Sequence, residues 1–159
     1  MKRVLVAGTF DPVTIGHMDI IQRACALFDE VHIVIFVNPD KMPMFCITER
    51  QKFLHAACAD MSNVIINHST GMLVDYMKIN QLVATVRGAR NTKDFEYELE
   101  MAALNRQLWN GCETVILPCD KQYAEISSTK IRQALQNGQD VSNFLPKAIL
   151  PLVNDTLQR

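Results

Sequence analysis

Val4-Leu5-Val6-Ala7-Gly8-Thr9-Phe10-Asp11-Pro12-Val13-Thr14-Ile15-Gly16-His17 decides the fold of this chain. Val4 to Ala7 is a short apolar run, the pattern of a strand buried on both faces. A glycine-bearing loop, Gly8 to His17, follows it, and Met18 to Phe28 then carries apolar residues at helical spacing. Gly8, Thr9, Gly16 and His17 therefore sit in the first strand-to-helix connection of an α/β sheet. Backbone N–H groups and a helix N-terminus meet there, a natural place for a phosphate. The stretch points to nucleotide chemistry.

Working outward, strand-length apolar runs recur at Val31–Val37, Val64–Asn67, Val83–Arg87 and Thr114–Leu117. Helix-period segments lie between them at about 18–28, 48–60, 72–80 and 94–110. Thr48 with Gln51 three residues on fits a capping box. Phe95, Leu99, Ala102, Ala103 and Leu104 give the fourth helix its spacing. A further helix begins near Ser128 and stops at Asn137-Gly138. Pro146 fits the first turn of a last short helix. This alternation predicts a single-domain, doubly wound, Rossmann-like sheet over residues 1–159. It has five parallel strands, helices on both faces and C-terminal helices.

Composition sets bounds. The chain has 159 residues, 48% of them hydrophobic, and a net charge of −1, so the basic excess of a nucleic-acid binder is missing. No apolar stretch reaches the ~18–20 residues of a membrane span. Met1-Lys2-Arg3 leads straight into a strand, so no signal segment is expected. The five cysteines, Cys25, Cys46, Cys58, Cys112 and Cys119, contain no CxxC and read as reduced thiols of a cytoplasmic protein. No His/Cys cluster has metal-ligand spacing, and no protein metal site is expected.

In a doubly wound sheet, ligands bind beyond the carboxyl ends of the strands. The loops to read are Gly8–His17, Asn38–Phe45, His68–Leu73, Arg87–Asp94 and Pro118–Thr129. A neutral His17 near a helix start suits hydrogen bonding to a phosphoryl oxygen on which charge develops; its plain alternative is a helix cap. Pro39 and Pro43 stiffen the loop of Lys41, which otherwise reads as a solvated lysine. Arg87 and Arg90 flank Gly88-Ala89, and two guanidiniums there can grip one phosphate ligand. Ser127, Ser128 and Thr129 enter a helix as caps or phosphate ligands, two compatible roles. Asp94, Glu96, Glu98 and Glu100 are partly explained by the dipole of the helix they open. His32 in a strand, His55 on a helix and His68 in a loop read as structural. Met42, Met44, Met72 and Met77 read as adaptable apolar lining near the loops.

These motifs together resemble the bacterial phosphopantetheine adenylyltransferases, nucleotidyltransferases with a T/H-x-G-H signature. Carrying the resemblance are Gly8 to Pro12, Thr14 to His17, Lys41 with Pro43-Met44-Phe45, Arg87 to Arg90, Asp94 to Glu98, Asn105-Arg106 and Ile126 to Thr129. It implies transfer of the adenylyl group of ATP to 4′-phosphopantetheine, giving dephospho-coenzyme A and pyrophosphate with Mg²⁺. It also implies that Thr9, Lys41, Leu73 and Arg87 contact the pantetheine substrate. Thr9, Phe10, His17, Gly88, Ala89, Arg90, Glu98 and the run Tyr123, Ala124, Glu125, Ile126, Ser127, Ser128, Thr129 would line the ATP site. His17, Lys41 and Arg90 would carry the catalysis. A homohexamer built as a dimer of trimers, with feedback inhibition by coenzyme A, is implied in the same way. The chain departs from the family at Val6-Ala7, where Tyr-Pro is frequent, at Ile15, where Asn is frequent, and at Thr129, where Ser is usual. Another adenylyl- or cytidylyltransferase on this scaffold, or a catalytically silent nucleotide-binding module, remains the alternative reading.

Overall fold

The computed structural model describes residues 1–158. Five strands form one parallel sheet in the order β3-β2-β1-β4-β5: β1 Arg3–Gly8, β2 Glu30–Phe36, β3 Val64–Ser69, β4 Ala84–Ala89 and β5 Glu113–Pro118. Helices connect them: α1 Ile15–Leu27, α2 Ile47–Ala57, α3 Leu73–Ile79 and α4 Thr92–Leu108, with α5 Ser128–Gln136 and α6 Leu150–Leu157 after the sheet. The expected architecture holds, and each strand and helix anticipated up to residue 110 lies within three residues of its observed bounds.

Strand alternation divides the core. Val4, Val6, Ile33, Ile35 and Val86 pack with Ile20 and Ile21 of α1, Phe53 and Leu54 of α2, Ile131 of α5 and Val153 of α6. Leu5 and Val34 face the other way, against Val74 and Met77 of α3, Leu82 and Cys112. Winding runs outward from β1 to β2 and β3, then restarts at β4. The loops after β1 and β4 diverge at that switch point and leave a crevice over the carboxyl ends of the two strands.

Four local readings need correction. Helix α2 is capped two residues earlier than Thr48: the Glu49 carboxylate reaches back and accepts the Cys46 N–H at 2.8 Å. A carboxylate in that first turn is a stronger partner than the Gln51 amide. His68 lies in β3, because the edge strand continues its pairing with β2 to Ser69. Pro146 precedes a short 3-10 turn, and the proline in the first turn of the last helix is Pro151. On α4 the apolar residues face outward: Phe95, Leu99 and Leu104 are exposed, and the buried side chain is Glu98. Gly138, at φ 66°, closes α5 as the stop signal predicts, with the Gln139 N–H bonded to the Ala134 carbonyl at 2.9 Å. Among the described residues, no helix is long and apolar enough to cross a membrane.

Candidate active site

Thr14 and His17 cap α1 reciprocally. The Thr14 hydroxyl accepts the His17 backbone N–H at 3.2 Å, and His17 Nδ1 accepts the Thr14 backbone N–H at 3.0 Å. A ring nitrogen that accepts carries no proton, so the proton sits on Nε2. His17 is therefore both a cap and a donor held in one tautomer, the two roles its sequence context left open. Half-burial, then the positive charges of Arg87 and Arg90, push its pKa down from 6.5 to about 4. The imidazole is neutral at physiological pH, and Nε2 can lend a hydrogen bond without acting as a base. Phe10, buried at φ 46°, stacks edge-on against this ring with centroids 5.1 Å apart. The Phe10 ring lies so close beneath Gly8 that a Cβ there would approach it to 3.0 Å.

Between about pH 6.5 and 4 the unfolded chain takes up a proton on His17 that the folded chain refuses. Stability therefore falls as pH drops through that window, and it is retained above it. In urea melts across this range, wild type loses more stability than His17→Ala; equal slopes would contradict the depressed pKa.

The end of β4 supplies the arginines. Arg87 Nε and Nη2 donate to the two oxygens of Glu98, both at 2.9 Å, and Nη1 donates to the Ala7 carbonyl at 2.6 Å. Three of the five guanidinium N–H groups are used, which leaves two for a ligand. Arg90 Nε donates to Asp94 at 2.8 Å, and its Nη1 reaches the Ile126 carbonyl at 3.4 Å. The Arg90 guanidinium in turn holds the Asp94 carboxyl below its usual range. Glu98→Ala is expected to cost about 1–3 kcal/mol in urea unfolding, because it strips the bidentate partner from a partly buried guanidinium. An unchanged midpoint would show that Glu98 does not hold Arg87.

Lys41 hangs from the loop after β2, where Asn38 accepts the backbone N–H groups of Lys41 and Asp40 at 3.2 and 2.9 Å. Among the described residues its amine has no hydrogen-bond or ion-pair partner. At the start of α5, Ser127 accepts the Lys130 N–H at 3.2 Å, Ser128 donates to the Pro12 carbonyl at 2.8 Å, and Thr129 accepts from Arg132 at 3.2 Å. These hydroxyls are occupied with structure. What the helix start offers an anion is its first N–H groups, those of Ser128 and Thr129.

All these elements line one open cleft of about 1000 Å³. Of the residues anticipated, it collects Thr9, Phe10, His17, Lys41, Leu73, Arg87, Gly88, Arg90, Glu98, Tyr123, Ile126, Ser127 and Ser128. Ala89, Ala124, Glu125 and Thr129 lie outside the lining, and Glu125 pairs with Lys130 at 2.8 Å instead. The cleft also takes in Thr85, Met101, Ala102, Asn105, Thr114 and Cys119, none of which the sequence marked as a site residue. Glu98, Met101, Ala102 and Asn105 share one face of α4, and that spacing was available as a signal. Met101 is the methionine in the wall; Met77 is buried in the core and Met42 is 98% exposed. Burial raises the Cys119 thiol pKa, so it is a poor nucleophile at neutral pH.

The cytidylyltransferase-like family model matches residues 5–134. Curated proteins named phosphopantetheine adenylyltransferase resemble the chain along its length. That of Shouchella clausii is 38% identical, with all of both chains covered. That of Histophilus somni is 41% identical over 94% of this chain and 95% of its own. That of Heliobacterium modesticaldum is 41% identical over 94% and 89%. A solved structure from Vibrio parahaemolyticus, named provisionally as a nicotinate-nucleotide adenylyltransferase, superposes with a TM-score of 0.71. It covers all of this chain and 96% of its own at 22% identity, a likeness of fold.

Proposed function

From a chain that belongs to the cytidylyltransferase-like family, and within it to the phosphopantetheine adenylyltransferases, we infer a nucleotidyltransferase that moves the adenylyl group of ATP to 4′-phosphopantetheine. The products are dephospho-coenzyme A and pyrophosphate, and the reaction belongs to coenzyme A synthesis. The observation that carries this reading is the convergence on one cleft of a neutral His17 Nε2 donor, a Lys41 amine unpaired among the described residues, Arg90 and the open start of α5.

The chemistry follows from charge. A phosphate oxygen of the acceptor attacks the α-phosphorus of ATP, and the bond from that phosphorus to the bridging oxygen of pyrophosphate breaks. The nucleophile is already an anion, so no base is needed and no side chain becomes covalently modified. Catalysis is positioning plus stabilisation of developing charge. Lys41 and His17 grip the moving phosphoryl group, with Lys41, Thr9, Leu73 and the two spare N–H groups of Arg87 placing the acceptor. Arg90 and the Ser128 N–H at the start of α5 receive the leaving phosphates. Glu98 acts on the substrates through Arg87.

Magnesium would enter with ATP as the counter-ion of its phosphates. The carboxylates lining the cleft, Asp94 and Glu98, are each bound to an arginine, so the fitting donors are phosphate oxygens. Among the described residues no cluster of His, Cys, Asp and Glu is built to hold a metal. Coenzyme A, which contains the product, would occupy the same cleft as a feedback inhibitor. A homohexamer built as a dimer of trimers is supported by the exposed Phe95, Leu99, Leu104 and Leu108 of α4, apolar surface that other copies would cover. The five free thiols fit a reducing cytoplasm.

The test is an acceptor panel. Purified protein with Mg²⁺ receives ATP and 4′-phosphopantetheine, ATP and nicotinate mononucleotide, or CTP and glycerol 3-phosphate. Dephospho-coenzyme A with equimolar pyrophosphate, in the first tube alone, is expected. Product in another tube only would overturn the acceptor, and ATP binding without product anywhere would overturn the activity.

A further inference from the structure

We propose that Asp11 is a positioning residue whose carboxylate, backed by Arg132, tethers the Lys41-bearing loop to the nucleotide-binding loop. Asp11 is 4% exposed. Its Oδ2 accepts the Met44 N–H and its Oδ1 the Phe45 N–H, each at 2.9 Å. Phe45 is buried and packs edge-on against Phe53 at 5.1 Å, so the loop end that Asp11 grips is fixed in the core. Lys41 stands three residues before Met44, with Pro43 between them. Proline allows little backbone adjustment, so the position of Met44 constrains that of Lys41.

The other end of the tether reaches α5. Arg132 Nη1 donates to the Asp11 carbonyl at 2.7 Å and lies 3.7 Å from the carboxylate, and its Nη2 donates to Thr129. Ser128 holds the neighbouring Pro12 carbonyl. A connected path of hydrogen bonds thus runs from the start of α5, through Asp11, to the loop of Lys41. It fixes the spacing between the group that receives the leaving phosphates and the amine that meets the acceptor, and so it rests on the reading of Lys41 given above. The charge matters because two backbone donors converge on one side chain. A carboxylate accepts both, whereas an amide presents one acceptor and turns an NH₂ toward the second N–H.

Asp11→Asn tests this with two readouts. Hydrogen exchange at Met44 and Phe45 should quicken at least about ten-fold, the scale of one lost charge-assisted bond. In steady state the KM for 4′-phosphopantetheine should rise by about ten-fold or more, while that for ATP stays within about two-fold. A merely structural role would move both constants together. Unchanged exchange, or two KM values moving in step, overturns the proposal. Should Asp11→Asn fail to fold, Arg132→Gln, which removes the half-buried guanidinium behind the carboxylate, is expected to quicken exchange at Met44 and Phe45 by about three-fold; unchanged exchange there overturns it equally. A wild type inactive with 4′-phosphopantetheine would refute the acceptor assignment, and the exchange comparison would still decide the tether.

Discussion

His17→Ala is expected to fold, to bind ATP, and to lose turnover by on the order of 10²–10³-fold. The size follows from removing one preorganised donor aimed at developing charge in a half-buried cleft. The binding expectation follows from the roles: a donor that tightens as charge develops contributes more in the transition state than in the ground state. The side chain also accepts the Thr14 N–H, so the variant should pay a second, smaller cost in stability of about 0.5–2 kcal/mol, the range for a lost cap. Circular dichroism, ATP titration and single-turnover rates separate these effects. Near-wild-type turnover would remove His17 from the mechanism. Lost ATP binding in a folded variant would recast it as a ground-state ligand.

Lys41→Ala should lower kcat/KM by on the order of 10²-fold and leave the melting temperature unchanged. The two halves have different causes. The amine has no partner among the described residues, so its removal breaks nothing in the fold. Its backbone is held independently, by Asn38 on one side and through Met44 by Asp11 on the other. Arg87 is the contrast, because its guanidinium joins β4 to α4 through Glu98 and to β1 through the Ala7 carbonyl. Truncating Arg87 would confuse lost binding with lost structure, whereas truncating Lys41 reads binding and catalysis alone. A destabilised Lys41→Ala, or one with full activity, would contradict this separation.

The sheet was legible because β1, β2 and β4 are buried runs that need no partner to be recognised, and turn residues mark their ends. His17 was legible because a glycine-bearing loop and a helix start surround it. The dual use of its ring was harder to read, since it depends on Nδ1 meeting the Thr14 N–H. The Arg87–Glu98 pair joins residues eleven apart across a strand and a helix, and spacing along either element does not reveal it. Asp11 was passed over for a similar reason: its partners, Met44, Phe45 and Arg132, come from two distant segments. The face of α4 misled in the opposite direction. Phe95, Leu99 and Leu104 have the spacing of a core stripe, yet they are exposed, and the acid at Glu98 is the side chain the helix buries.

The mechanism rests on direct displacement at the α-phosphorus by the acceptor phosphate, with the protein supplying only position and charge. The most direct measurement is the stereochemical course, read with ATP made chiral at that phosphorus by one sulfur substitution. A single in-line step predicts inversion of configuration in the dephospho-coenzyme A analogue. Retention would mean two displacements and a covalent adenylyl-protein intermediate, and would contradict the mechanism.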